Sequence, residues 1–123
     1  MLQSTRTITM KKNNKYRNTK ISNVYGQFDS IKEWKRYIYL LDLQKKGIIT
    51  ELKRQVPFVL IPSQKEGKKV IERACTYIAD FVYKKGSETI VEDTKSAITK
   101  ANATYIIKRK MMLFFHKIKI KEV

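Results

Sequence analysis

Asp80, Asp93 and Lys95 have the residue types and spacing to do chemistry. Asp80 interrupts the apolar run ACTYIADFVY, where a carboxylate is costly unless it is paired or holds a cation. Asp93 lies in TIVEDTKS. Residues two apart on a strand share a face, so Asp93 and Lys95 point together, and Glu92 with Thr94 points the other way, Glu92 toward solvent. A turn near Lys85-Gly86 puts Asp80 opposite roughly residue 91, one register step from Asp93. Two carboxylates and a lysine then converge. Such a set suits Mg²⁺, a hard cation usually held by one or two carboxylates with waters and phosphate oxygens. A cation held there acidifies water and neutralises charge on a reacting phosphate, while the lysine orients the water or steadies the pentacovalent state.

The elements that must position these groups follow from hydrophobic spacing. FDSIKEWKRYIYLLDLQKKG (28–47) predicts a helix, with Ser30 and Glu33 as a capping box, Gly47 as its stop, and Ile31, Trp34, Tyr37, Ile38 and Leu41 as its apolar face. Residues 49–55 alternate loosely, Pro57 breaks the pattern, and FVLI (58–61) reads as a short strand. SQKEGKK (63–69) reads as a loop. Residues 70–83 predict a strand with Cys75, Tyr77, Ala79 and Phe81 on one face, turning into a second strand over 88–95. Spacing from Ile98 through Tyr105 and Met112 to Phe115 predicts one further helix, and KIKIKEV a final edge strand. The sum is a mixed α/β (α+β) domain over residues 25–123. Residues 1–24 carry six cations and no acid, which predicts a flexible basic arm. Met10 is read as a native start, making residues 1–9 an extension.

Composition narrows the partners. The chain has 123 residues, one domain's worth, with 27 Lys and Arg against 11 Asp and Glu, a formal net charge of +16. That field attracts polyanions, and nucleic acid is the expected partner. The cations expected to touch phosphate are Lys11, Lys12, Lys15, Arg17 and Lys20 in the arm, and Lys108, Arg109 and Lys110 on the second helix. One cysteine, Cys75, excludes an intramolecular disulfide, and one histidine, His116, with that single cysteine excludes a zinc site. The apolar runs are too short to span a bilayer and no apolar leader is visible, so no membrane partner and a cytoplasmic location are expected.

The order αβββαβ, with Asp80, a hairpin, Asp93-x-Lys95 and a preceding helix bearing Glu33, resembles the PD-(D/E)xK nuclease superfamily. The stretches NKYRNTK, FDSIKEWKRYIYLLDL, QVPFVLIP, TYIADFVY and VEDTK resemble a family of small, mostly phage-encoded proteins catalogued as domain of unknown function 1064. They span most of residues 14–95. Two positions depart from the superfamily pattern: Ala79 stands where a proline is usual, and Asp93 where glutamate is common. The resemblance implies a restriction-endonuclease-like core, Asp80, Asp93 and Glu33 as metal ligands, Lys95 as the catalytic lysine, and Gln55 as a polar group near the site. It implies Mg²⁺, replaceable by Mn²⁺, in a structure-selective DNA endonuclease of phage recombination or DNA processing inside a bacterial host. By analogy with Holliday-junction resolvases, such an enzyme is a homodimer that cuts two strands. Two other readings are a non-catalytic nucleic-acid-binding protein and a phage-encoded interaction module on the same fold. A capping role explains Glu33 without catalysis, and a surface ion pair so explains Asp93 and Lys95.

Overall fold

The computed structural model describes residues 9–13 and 18–123. In chain order the elements are β1 (Thr9–Asn13), β2 (Asn18–Asn23), β3 (Gly26–Phe28), α1 (Ile31–Lys45), β4 (Thr50–Ile61), β5 (Gln64–Glu66), β6 (Lys69–Glu72), β7 (Cys75–Lys85), β8 (Glu88–Asp93), α2 (Ala97–Lys100), α3 (Ala103–His116) and β9 (Lys121–Glu122). They form a mixed α+β structure. β4, β7, β8 and β9 make a four-stranded sheet in that order, antiparallel except for the parallel β8–β9 pair. β1–β2–β3 form a separate antiparallel sheet, and among the described residues β5 pairs only with β6.

Residues 18–23 correct the expected arm, which was drawn over 1–24. Ile21 pairs with Phe28 of β3 and both are buried, so this stretch has an apolar anchor the charge count concealed. Residues 1–8 and 14–17 lie outside the described residues.

The first helix starts and stops where expected. Ser30 Oγ accepts from the Glu33 N–H at 3.1 Å. At the far end the Ile48 N–H reaches Leu43 O and the Gly47 N–H reaches Gln44 O, with Gly47 at φ 78°, a Schellman ending that needs a residue tolerant of the left-handed region. The buried stripe differs from the expected one. Glu33 and Leu40 are buried, with Tyr37 and Leu43 beside them, whereas Ile38 and Leu41 line an open groove. Trp34 turns to Phe28 and Tyr25, at ring separations of 5.1 and 5.9 Å.

Four further expectations are corrected. β4 runs unbroken through Pro57, which is tolerated because β4 is an edge strand. The expected loop at 63–69 and the start of the following strand are instead the β5–β6 ribbon. The expected second helix is two, parted at Ala101-Asn102: Ser96 and Thr99 close a capping box on α2, and Asn102 caps α3 by accepting from the Tyr105 N–H. Ile98 and Phe115 are consequently exposed. Only Lys121–Glu122 of the last segment is strand, although Ile118 and Ile120 pack inward.

Two cores flank the four-stranded sheet. Leu60, Tyr77, Ala79, Val91, Tyr105, Met112 and Ile120 pack with α3, and Leu40, Ile49, Phe81 and Tyr83 with α1. Strict alternation would put Tyr77, Ala79, Phe81 and Tyr83 on one face. Their division between the cores means that side-chain phase changes at Asp80. Gln55, at the same level of β4 between the Arg54–Phe81 and Val56–Ala79 pairs, has φ 52°. The two strands kink together there, and kinks of this kind re-aim side chains.

Candidate active site

Phe81 pairs with Glu92, so Asp80 stands at the level of Asp93. Sequence spacing put it near residue 91; the hairpin closes at Lys85–Glu88, one residue later than expected, and each residue of turn displacement moves the partner by two. The two carboxylates are close enough that, beyond burial, the Asp80 charge raises the Asp93 pKa. Asp80 Oδ2 accepts from both the Thr94 N–H (2.9 Å) and the Thr94 hydroxyl (2.7 Å), because the chain leaves β8 at this point and Thr94 turns its donors inward. Asp93 Oδ2 accepts from the Tyr77 hydroxyl at 2.8 Å and lies 3.1 Å from Lys95 Nζ. The Lys95 ammonium sits 4.4 Å from the Tyr105 ring centroid, a cation–π contact that fixes it from the other side. Backbone bonds from the Val123 N–H to Asp93 O and from the Lys95 N–H to Val123 O tie this stretch to the end of β9.

Glu33 joins from α1. Its backbone makes the expected cap, but its carboxylate accepts from the Asp29 N–H and not from Ser30, so only half of a capping box forms. The other carboxylate oxygen accepts from Gln55 Nε2 at 3.2 Å, and the same amide reaches Asp80 Oδ1 at 3.3 Å. Gln55 thus bridges the two acids. Arg54 Nη2 stands 3.7 Å from Glu33 and donates to Gln27 O, with its guanidinium 3.7 Å from the centre of the Phe28 ring. A Cβ on Gly26 would lie 3.0 Å from Arg54 Nη1, and its φ of 118° also demands glycine. The N-terminal sheet is in this way coupled to the site.

Five expected site residues, Glu33, Gln55, Asp80, Asp93 and Lys95, therefore come together. Glu33, Asp80 and Lys95 line an open cavity of about 470 Å³, together with Lys20, Lys32, Ser30, Thr94 and Ser96. Glu92 corrects the expectation of a solvent-facing acid. It is fully buried, held by Arg36 through two bonds of 2.8 and 2.7 Å and by the Tyr83 hydroxyl. Alternation does send it away from Asp93, but α1 covers that face too. Tyr77, Thr94, Lys32 and Arg36 were missed because each acts through a tertiary contact that spacing along the chain does not encode.

A family model described as a protein of unknown function, DUF1064, matches residues 13–123. The chain belongs to the DUF1064 family. Neither a curated protein nor a solved structure matches it. For this DUF1064 chain, the expected phosphate contacts divide. Lys20 is exposed on the rim of the cavity, and Lys108 lines a shallower one beside Asp93 and Tyr105. Lys110 is exposed, whereas Arg109 lies 3.4 Å from Glu122, with which it pairs. Lys11 and Lys12 fall in β1, and Lys15 and Arg17 lie outside the described residues. No helix among the described residues is long and apolar enough to cross a membrane.

Burial, followed by the charge of Asp80, raises Glu33 to about 7, from 4.5. Burial, followed by the hydrogen bond with Asp80 and its charge, raises Asp93 to about 7, from 3.8, against the opposing pull of Lys95 and Tyr77. A folded-state pKa above the unfolded one means that the folded chain binds the proton more tightly. The stability from these two acids is complete below about pH 4 and is lost as pH rises through 7. Urea melts of the DUF1064 chain in EDTA are expected to give midpoints that fall between pH 5 and 8, with a shallower fall in Asp93→Asn. Equal slopes for the two proteins would contradict the crowding of the carboxylates.

Proposed function

We propose that this chain is a divalent-metal-dependent endonuclease of the PD-(D/E)xK kind that hydrolyses DNA phosphodiesters and selects its substrate by DNA structure. One observation carries the reading. Asp80 and Asp93 meet across adjacent antiparallel strands with Lys95 Nζ 3.1 Å from Asp93, at the mouth of a lysine-rimmed cleft on a chain of net charge +16. With β5, β6 and α2 set aside, α1, β4, β7, β8, α3 and β9 follow one another as αβββαβ, which supports the resemblance without establishing it.

The donor set fits Mg²⁺ or Mn²⁺. Asp80 and Asp93 offer hard oxygens on adjacent strands, and burial, followed by the neighbouring Asp80 carboxylate, pushes Asp93 and Glu33 upward, a cost that a bound cation would relieve. Asp80 and Asp93 would hold the metal, which when bound supplies an acidified water and offsets charge on the phosphate. Thr94 orients Asp80 through one oxygen, and Tyr77 does the same for Asp93. Lys95 is anchored where its ammonium can donate to an attacking water or a phosphate oxygen. Glu33, expected as a third ligand, reaches Asp80 through the Gln55 amide and so positions it. Lys20 and Lys32 on the cleft wall would bear on the DNA backbone.

A nucleic-acid-binding protein without chemistry draws on a different observation: no three His, Cys, Asp or Glu side chains among the described residues form a group able to hold a metal ion. Incubation with supercoiled, linear and four-way-junction DNA in Mg²⁺, Mn²⁺ or EDTA separates the two readings. Cleavage that needs the metal and favours the junction is the expected result. Binding without cleavage in every metal would leave the second reading.

A further inference from the structure

The β5–β6 ribbon belongs to neither core. Among the described residues its strands pair only with each other, and every residue in both is exposed, including Val70 and Ile71. An isolated two-stranded hairpin is marginal in water, so a ribbon with both faces open calls for a use. Its cations are distributed around it. Lys65 pairs with Val70 and Lys69 with Glu66, at successive rungs and hence on opposite faces, and Lys68 sits in the turn after Gly67.

We propose that this ribbon is a second DNA-binding element that enters the major groove of duplex DNA alongside the cleft. The major groove admits a two-stranded ribbon, and it is walled by phosphates on both sides, which cations on both faces and at the tip would meet. The exposed Val70 and Ile71 supply apolar surface for base edges such as thymine methyls. Reach agrees with this placement. Asp80 to Cys75 is about 17 Å along β7 at 3.3 Å per residue, and the ribbon adds about 10 Å. The tip can therefore lie up to about 27 Å from Asp80, a span of up to about 8 base pairs at 3.4 Å per pair. The proposal rests on the nuclease reading for DNA as the polymer, and not for the chemistry.

Binding of a fluorescein-labelled 25-base-pair duplex, followed by anisotropy in EDTA across a salt series, tests it without cleavage. The combined variant Lys65→Ala, Lys68→Ala, Lys69→Ala is expected to bind at least tenfold more weakly at 100 mM salt, with the log–log salt slope reduced by about 2–3. Thermal melts should match the wild type, because the changed side chains are exposed. Unchanged affinity and slope would overturn the proposal, as would no duplex binding by the wild type. Sedimentation velocity provides the remaining arm. A wild-type dimer that Val70→Ser, Ile71→Ser converts to monomer, with DNA binding intact, would make the ribbon a self-association element and overturn it too. Failure of cleavage with ribbon-dependent binding retained sinks the nuclease reading alone.

Discussion

Arg36→Met is expected to lower folding stability by about 3–5 kcal/mol, the cost of leaving a buried charge without its partner. Glu92 has no exposed surface, and Arg36 from α1 supplies both of its guanidinium bonds. The bonds to Glu92 hold the Arg36 guanidinium above its ordinary pKa. Lys121 lies 3.9 Å away with its side chain largely in solvent, so it and the Tyr83 hydroxyl do not replace two short guanidinium bonds. A native domain has only about 5–15 kcal/mol to lose, so the single variant stands near the threshold of unfolding. The double variant Arg36→Met, Glu92→Met removes both charges and should recover most of the loss. Urea titrations of the three proteins check this. A double variant as unstable as the single one would mean that the pair's geometry, and not its charge balance, holds α1 to the sheet.

Lys95→Ala is expected to reduce metal-dependent cleavage by about 10²–10³, the range for removing one preorganised donor from a reacting oxyanion. Asp93→Asn should reduce it at least as far, by weakening the metal site. The two variants should part company in stability. Asp93 is buried against Asp80 and ionises reluctantly, so Asn at this position should raise the melting temperature of the metal-free protein at pH 8 while removing activity. Opposite signs for stability and function are the mark of a strained site. Lys95→Ala takes away the cation beside Asp93 and should be neutral or destabilising. Single-turnover cleavage and thermal melts in EDTA read both effects. Retained cleavage in either variant would place the chemistry elsewhere.

Asp80 stands out in the sequence because an acid in an apolar strand needs a partner. Strand periodicity puts Asp93 and Lys95 on one face, but β8 ends at Asp93, and Thr94, expected on the opposite face, turns its donors to Asp80 instead. Ser30 and Gly47 bounded α1 because caps are local chemistry. Glu92 was misjudged for a different reason: alternation tells which side a residue faces, not whether that side is wet. That depended on Arg36, 56 positions earlier in the chain. Gln55 could be placed near the site only by resemblance, because its bridging role comes from a left-handed backbone in a β-strand, which no propensity predicts. The break at Asn102 was concealed because apolar spacing carries on across it while the caps do not.

The kink at Gln55 also bears on solubility. β4 is an open edge of the sheet, twelve residues long, with Val59 and Ile61 exposed along it. A straight strand of that kind is a template on which a second chain can extend the sheet. Left-handed backbone at Glu51 and Gln55, a proline at 57 and His116 bonded to the Val59 carbonyl interrupt the template at intervals. The irregularity that turns Gln55 toward two acids is therefore also one of the guards against edge-to-edge aggregation. Regularising β4 would endanger the protein in solution as well as its site.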